Sequence, residues 1–191
     1  LLRLSNLDAF ADKTFETFDP KVPGVAQAYQ AALRYAENPE GWLFLTGPCG
    51  VGKTHLAAAI AHRALDNRLT TFFTVVPDLL DHLRATFSPA SDISYDELFE
   101  KVRAVPLLIL DDLGTENATP WAVEKLYQLI NHRYNYRFPT VITSNQDLDR
   151  MDRRIVSRLL DVRLVHHVLI DAEDYRQGGP GKSNRSRNRR R

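Results

Sequence analysis

The stretch Gly47-Pro48-Cys49-Gly50-Val51-Gly52-Lys53-Thr54 constrains this chain more than any other. Upstream stands the apolar run Trp42-Leu43-Phe44-Leu45-Thr46, and downstream a helical pattern from Thr54 to about Leu65. Strand, glycine-rich turn and helix, in that order, are the context in which GxxxxGKT works as a phosphate loop. Glycines let successive backbone N–H groups converge on phosphate oxygens, and the helix N-terminus adds positive partial charge. Lys53 then reaches the β- and γ-phosphates, and the Thr54 hydroxyl can ligate Mg²⁺. Gly47 to Thr54, with His55 beside them, are the expected nucleotide-binding residues. A ligand-free glycine turn is the alternative, and the flanking strand and helix speak against it.

A second stretch answers the first. Pro106-Leu107-Leu108-Ile109-Leu110-Asp111-Asp112 reads as a strand buried on both faces and ending in two carboxylates. In open parallel sheets ligands bind beyond the C-terminal strand ends, where these acids fall. Asp111 is expected to hold Mg²⁺, through water, and Asp112 to orient or deprotonate an attacking water. Glu116 is a second candidate for handling water or a neighbouring subunit. A third strand, Thr140-Val141-Ile142-Thr143-Ser144, ends in Asn145, whose amide can face a γ-phosphate or the same water. Without the two upstream motifs it would read as a turn residue.

The remaining pattern fits one α/β domain. Val25, Ala28, Tyr29, Ala32, Leu33 and Ala36 predict an amphipathic helix, and Thr70 to Val75 a strand. Pro77 starts a predicted helix carrying Leu79, Leu80, Leu83 and Phe87. A capping box, Ser94 to Glu97, opens the next. Thr119 and Pro120 open a long helix with Val123, Leu126, Tyr127, Ile130 and Tyr134 on one face. Arg153 to Leu160 is predicted helical, and the last strand is placed at Val162 to Ile170. His166 and His167 fall on opposite faces of it, so they cannot form one metal site.

Composition limits the classes. With one cysteine, Cys49, no intrachain disulfide is possible, and no multi-cysteine metal site. No run is long and apolar enough for a membrane span, and the start lacks a secretory core, so a cytoplasmic protein is expected. Of 25 basic side chains six lie in residues 177–191 with no acid, which leaves 19 against 24 acidic ones in the body. That tail, rich in Gly, Ser, Asn and Arg, is expected to be disordered; it is either a nucleic-acid tether or a solubilising end. The expected division is a linker at 1–20, an ATPase domain at 21–176 and the basic tail at 177–191.

In combination these motifs resemble the AAA+ ATPases, and within them the DnaC/DnaI-type bacterial helicase loaders and the similar IstB transposition ATPases. The resemblance rests on Thr14-Phe15-Glu16-Thr17-Phe18-Asp19, the phosphate loop, Leu107 to Gly114 with Glu116, the Pro120-to-Tyr136 helix, Thr143-Ser144-Asn145 and Arg154-Ile155-Val156-Ser157-Arg158-Leu159. It implies a P-loop NTPase fold, a three-layer α/β/α sandwich around a five-stranded parallel sheet, with the Asn145 strand between the other two motif strands. Phe15 and Phe18 would help form the adenine pocket. Arg158 would be an arginine finger acting in trans in a homo-oligomer, with Arg154 a weaker candidate. ATP and Mg²⁺ are the implied cofactors, and single-stranded DNA and a replicative helicase, or a transposase, the partners. About Pro77 to Arg103 would form an insert that stacks subunits and helps line the DNA path. The usual helical lid is not evident, and Arg176 stands where a substitute for its sensor arginine would fall. Outside this reading stand a P-loop small-molecule kinase and a DNA-binding switch that holds ATP without appreciable hydrolysis.

Overall fold

A computed structural model of the chain describes residues 4–89, 91, 93–115 and 119–175. Glu116, Arg176 and the basic tail lie outside the described residues. Five strands, β1 (Trp42–Thr46), β2 (Thr71–Val75), β3 (Leu107–Asp111), β4 (Thr140–Ser144) and β5 (Val165–Leu169), form one all-parallel sheet. Their order is β2-β3-β4-β1-β5, so β4 does lie between the strands that feed the phosphate loop and the paired acids.

Alternation along the strands builds two cores. Leu43, Leu45, Phe73, Leu107, Ile109, Val141 and Val168 face one way, against α1 (Ala26–Glu37) and α2 (Lys53–Asp66). Trp42, Phe44, Phe72, Leu108, Leu110, Ile142 and Val165 face the other way. There they meet α3 (Val76–Ala85), α4 (Tyr95–Ala104), α5 (Pro120–Tyr136) and α6 (Arg153–Leu159). This is the expected three-layer sandwich. Parallel strands covered on both faces need apolar residues at every position, which is why β1 and β3 are continuous apolar runs.

The helix starts follow their caps. Ser94 Oγ accepts from the Glu97 amide at 3.2 Å, and Thr119 Oγ1 from the Ala122 amide at 3.2 Å ahead of Pro120. Three expectations need correction. The last strand begins at Val165, because residues 161–164 form turns closed by the Leu164 and Val165 amides on Asp161 O; Val162 is 89% exposed. Phe87 lies beyond the end of α3 and is 61% exposed, stacked on Tyr95 instead of buried. The inner face of α5 is Ala122, Leu126, Leu129, Ile130 and Arg133, with Val123, Tyr127 and Tyr134 at its margins. Arg133 is fully buried, and its guanidinium donates to Thr140 Oγ1 (2.9 Å) and to the carbonyls of Arg103, Val105 and Pro139. A buried charge is tolerable when its donors are satisfied, and here it ties α5 to the entries of β3 and β4.

Before the sheet, the N-terminal segment borders its β2 edge. Ser5 Oγ and the Asn6 amide both donate to Phe73 O, at 3.0 and 3.2 Å, while Asn6 Oδ1 accepts from the Val75 amide at 3.1 Å. The segment then runs through a short 3₁₀ turn, Leu7–Phe10, toward the phosphate loop.

Candidate active site

Because all strands run the same way, the loop after β1, the acids after β3 and Asn145 after β4 converge at one edge of the sheet. At that edge opens a pocket of about 430 Å³. Its floor is Cys49 to His55, and Asp112 and Asn145 line it as well. Phe10, Phe18, Val22 and Val25 supply an apolar wall, bordered by the polar side chains of Asp12, Lys13, Thr17 and Asp19, and Glu173 and Tyr175 line it too.

The loop is shaped by its glycines. Gly52 (φ +95°) caps α2, and a Cβ there would lie 2.8 Å from the Phe18 ring. At Gly50 (φ +80°) a Cβ would meet Asp174 Oδ1 at 1.8 Å, and the Tyr175 amide donates to Gly50 O at 3.1 Å. Only glycine accepts both that backbone and that crowding. Lys53 is buried and its ammonium donates to the carbonyls of Gly47 (2.9 Å) and Pro48 (2.7 Å), so the charge sits inside the curl of the loop.

The carboxylate pair is asymmetric. Asp111 is 1% exposed, and burial pushes its carboxyl up to about 6; nearby Asp112 adds to the rise, while the Thr143 and Thr54 hydroxyls and the Lys53 charge oppose it. Thr143 Oγ1 donates to Asp111 Oδ1 at 2.7 Å and accepts from the Asp112 amide at 2.9 Å. Asp112 itself has φ +58°, a conformation uncommon outside glycine, which turns the chain at the strand end. Asn145 Nδ2 lies 3.1 Å from Cys49 Sγ, and its Oδ1 is buried with no hydrogen-bond partner among the described residues. An unpaired buried acceptor of this kind is what an ordered water satisfies.

The oxygen donors suit Mg²⁺. Among the described residues no cluster of three or more His, Cys, Asp or Glu side chains could hold a metal. The Thr54 hydroxyl is near enough to Asp111 to help hold its carboxyl down. Two hard oxygen ligands, with phosphates and water completing the shell, are the usual Mg²⁺ arrangement.

The aromatic pair divides. Phe18 lies on the wall, stacked on Tyr29 (5.6 Å) and edge-on to His55 (5.1 Å). Phe15 does not line the pocket: it is 4% exposed, packed edge-on to Tyr29 and beneath the Arg63 guanidinium, so it supports the wall from the core. His55 Nε2 stands 2.8 Å from Thr14 O, joining the first turn of α2 to this N-terminal segment. Lys13 and Tyr175 also line the pocket, and no pattern in the sequence pointed to either.

Arg158 and Arg154 are elsewhere. Both lie on α6 against α5, and neither borders the pocket. Arg158 donates to Asn131 Oδ1 and to Arg154 O, with its guanidinium 4.9 Å from the Tyr127 ring centre and 5.6 Å from that of Tyr134. Arg154 pairs with Asp152 and Glu124 and stacks on Tyr127 at 4.0 Å.

A P-loop at the edge of a β2-β3-β4-β1-β5 parallel sheet, facing two acids and a strand-end asparagine, defines an AAA+ ATP-binding module. The chain belongs to the IstB-like ATP-binding protein family, whose model matches residues 1–184. It is 32% identical over 191 residues to the ATP-binding protein of insertion sequence IS5376 from Geobacillus stearothermophilus, covering 92% of this chain and 72% of that one. It is 28% identical over 177 residues to the replicative helicase loader DnaC of Buchnera aphidicola, covering 89% and 72%. A crystal structure of the DnaC helicase loader superposes with a TM-score of 0.73 at 26% identity, over 84% of this chain and 97% of that one. No helix among the described residues is long and apolar enough to cross a membrane.

Proposed function

We propose that this module hydrolyses ATP in an assembly that forms on single-stranded DNA and acts on a DNA-processing client protein. The observation that carries the reading is the meeting of Lys53, Asp112 and the unpaired Asn145 oxygen in one pocket, while Arg158 stands apart on another face. Lys53 leaves the loop carbonyls for the β- and γ-phosphates. Thr54 and Asp111 hold Mg²⁺, which would neutralise phosphate charge when bound. Asp112 and Asn145 Oδ1 orient the attacking water, and Asp112 accepts its proton. Arg158 meets the γ-phosphate held by the next subunit, so turnover depends on assembly.

For the client, the family match and the 32% relative favour a transposase, ahead of the replicative helicase expected from sequence. A helicase client is the second reading, favoured by the DnaC superposition. Capture of purified transposase or helicase by the chain discriminates between them.

The test of the catalytic reading is steady-state ATP turnover against single-stranded DNA, at several protein concentrations. Turnover should rise with both and fall steeply in Lys53→Ala and Arg158→Ala. Turnover indifferent to DNA, to protein concentration and to Arg158 would reduce the protein to a generic P-loop ATPase, and phosphate transfer to a metabolite would make it a kinase.

A further inference from the structure

The Arg158 cluster contains a residue that the motifs do not name. Asn131 projects from α5, and its Oδ1 accepts from both Nε (2.9 Å) and Nη2 (2.5 Å) of Arg158. Two donors on one atom identify it as the amide oxygen. A guanidinium has two edges able to make paired bonds: a side edge, Nε with Nη2, and an end edge formed by the two Nη groups. Asn131 takes the side edge. Arg154 O accepts one Nη1 proton at 2.7 Å, and the Tyr127 hydroxyl is 3.4 Å from Nη2, at the limit of a hydrogen bond. With Nε and one Nη2 proton on Asn131, the Tyr127 contact falls on the other Nη2 proton, on the end edge; it is the longest of these bonds and the one an incoming oxyanion would displace.

The rings complete the mount. Tyr127 and Tyr134 both lie within cation–π range of the guanidinium, and Tyr134 is fixed by its own bond to Asp161 Oδ2 (2.5 Å). A planar cation held on one edge and packed beside two rings has few rotamers left, so little order has to be imposed when it meets a phosphate.

We infer that Asn131 is the positioning residue for Arg158, holding its side edge so that the end edge is presented to a phosphate bound by a neighbouring copy of this chain. This rests on the trans-acting role proposed for Arg158. Asn131 touches no substrate; it acts through the arginine.

Mixed assemblies of the 191-residue chain test it. An Arg158→Ala subunit keeps its own site but offers no finger, and an Asp112→Asn subunit offers a finger but has an impaired site. Mixing the two should restore DNA-stimulated ATP turnover. Adding Asn131→Ala to the Asp112→Asn subunit should lower the restored rate by about a hundredfold, the scale on which misplacement by an ångström acts. The same change in the Arg158→Ala subunit should leave it intact. Asn131→Asp, which keeps the acceptor, should retain most of the rescue and guards against misfolding of the alanine variant. Asn135→Ala, at an exposed position four residues along α5, should change nothing.

Equal rescue with Asn131→Ala in either subunit would overturn the inference. So would damage confined to the Arg158→Ala subunit, which would make Asn131 a structural residue of its own site. Faster turnover with alanine and slower with aspartate would overturn it too, as the mark of an arginine parked there and released. Absence of rescue in the unmodified mixture would sink the trans-acting role and this inference together, and is distinguished from the others because it appears before Asn131 is touched.

Discussion

The phosphate loop takes its residues from one continuous strand-to-helix turn, whereas the Arg158 cluster joins side chains of two helices that are well separated in the chain. The loop works through backbone N–H groups, so three glycines and one lysine carry most of its specification. The cluster works through side chains and a single backbone carbonyl, that of Arg154, and its geometry depends on how α6 packs on α5. One is fixed locally, and the other is as exact as the packing around it. Affinity for nucleotide should therefore follow the loop, and turnover at constant affinity should follow the cluster.

The largest effect that can break this contrast is Arg158→Ala. Turnover should fall by about a thousandfold or more, with nucleotide affinity, read by fluorescence titration, unchanged. A comparable loss of affinity would mean that Arg158 serves the pocket of its own subunit. Lys53→Ala should do the opposite, lowering affinity as well as turnover by about a hundredfold. Retained affinity would show that the ammonium remains with the loop carbonyls when phosphate binds.

Smaller effects sharpen the contrast within the pocket. Because burial disfavours its charge, Asp111→Asn should stabilise the nucleotide-free chain by about 1–2 kcal/mol, seen as a rise in the thermal midpoint, while Mg²⁺-dependent turnover is lost. An unchanged or lowered midpoint would mean that the Thr143, Thr54 and Lys53 contacts already offset the burial. His55 gives the smallest effect. Burial lowers its pKa below the ordinary 6.5, so the fold favours the neutral ring. That contribution is complete above pH 6.5 and fades as pH falls through the lowered value. Hydrogen exchange of residues 14–18 should quicken as pH falls from about 7.5 to 5, after correction for intrinsic rates, and His55→Gln should flatten the trend. The same profile in both would place the titration elsewhere.

Legibility in the sequence follows the same division. Asp111, Asp112 and Asn145 could be read because each stands at a strand end, and Lys53 because it opens the helix after one in a motif of fixed spacing; parallel strands bring such ends together. The five-strand order came from resemblance, since periodicity alone does not order strands. Phe15 was misplaced because two aromatics three apart say nothing about which one faces the ligand; Tyr29 and Arg63, which take Phe15 into the core, are distant in sequence. Asn131 was invisible among the polar residues of α5, because its meaning depends on α6. Arg133 was passed over because arginine inside an amphipathic pattern reads as solvent-facing, and only the carbonyls at the entries of β3 and β4 make burial tolerable.

The segment along the β2 edge has a practical consequence. Ser5 and Asn6 occupy hydrogen-bonding groups of the outermost strand, and a dozen residues later the same stretch of chain becomes the Phe18 wall of the pocket. An expression fragment trimmed to begin at the first long helix would lose two things at once. It would bind nucleotide weakly, and it would leave a bare strand edge open to pairing between molecules. Insolubility of such a fragment would then be a fault of the cut, not of the ATPase core.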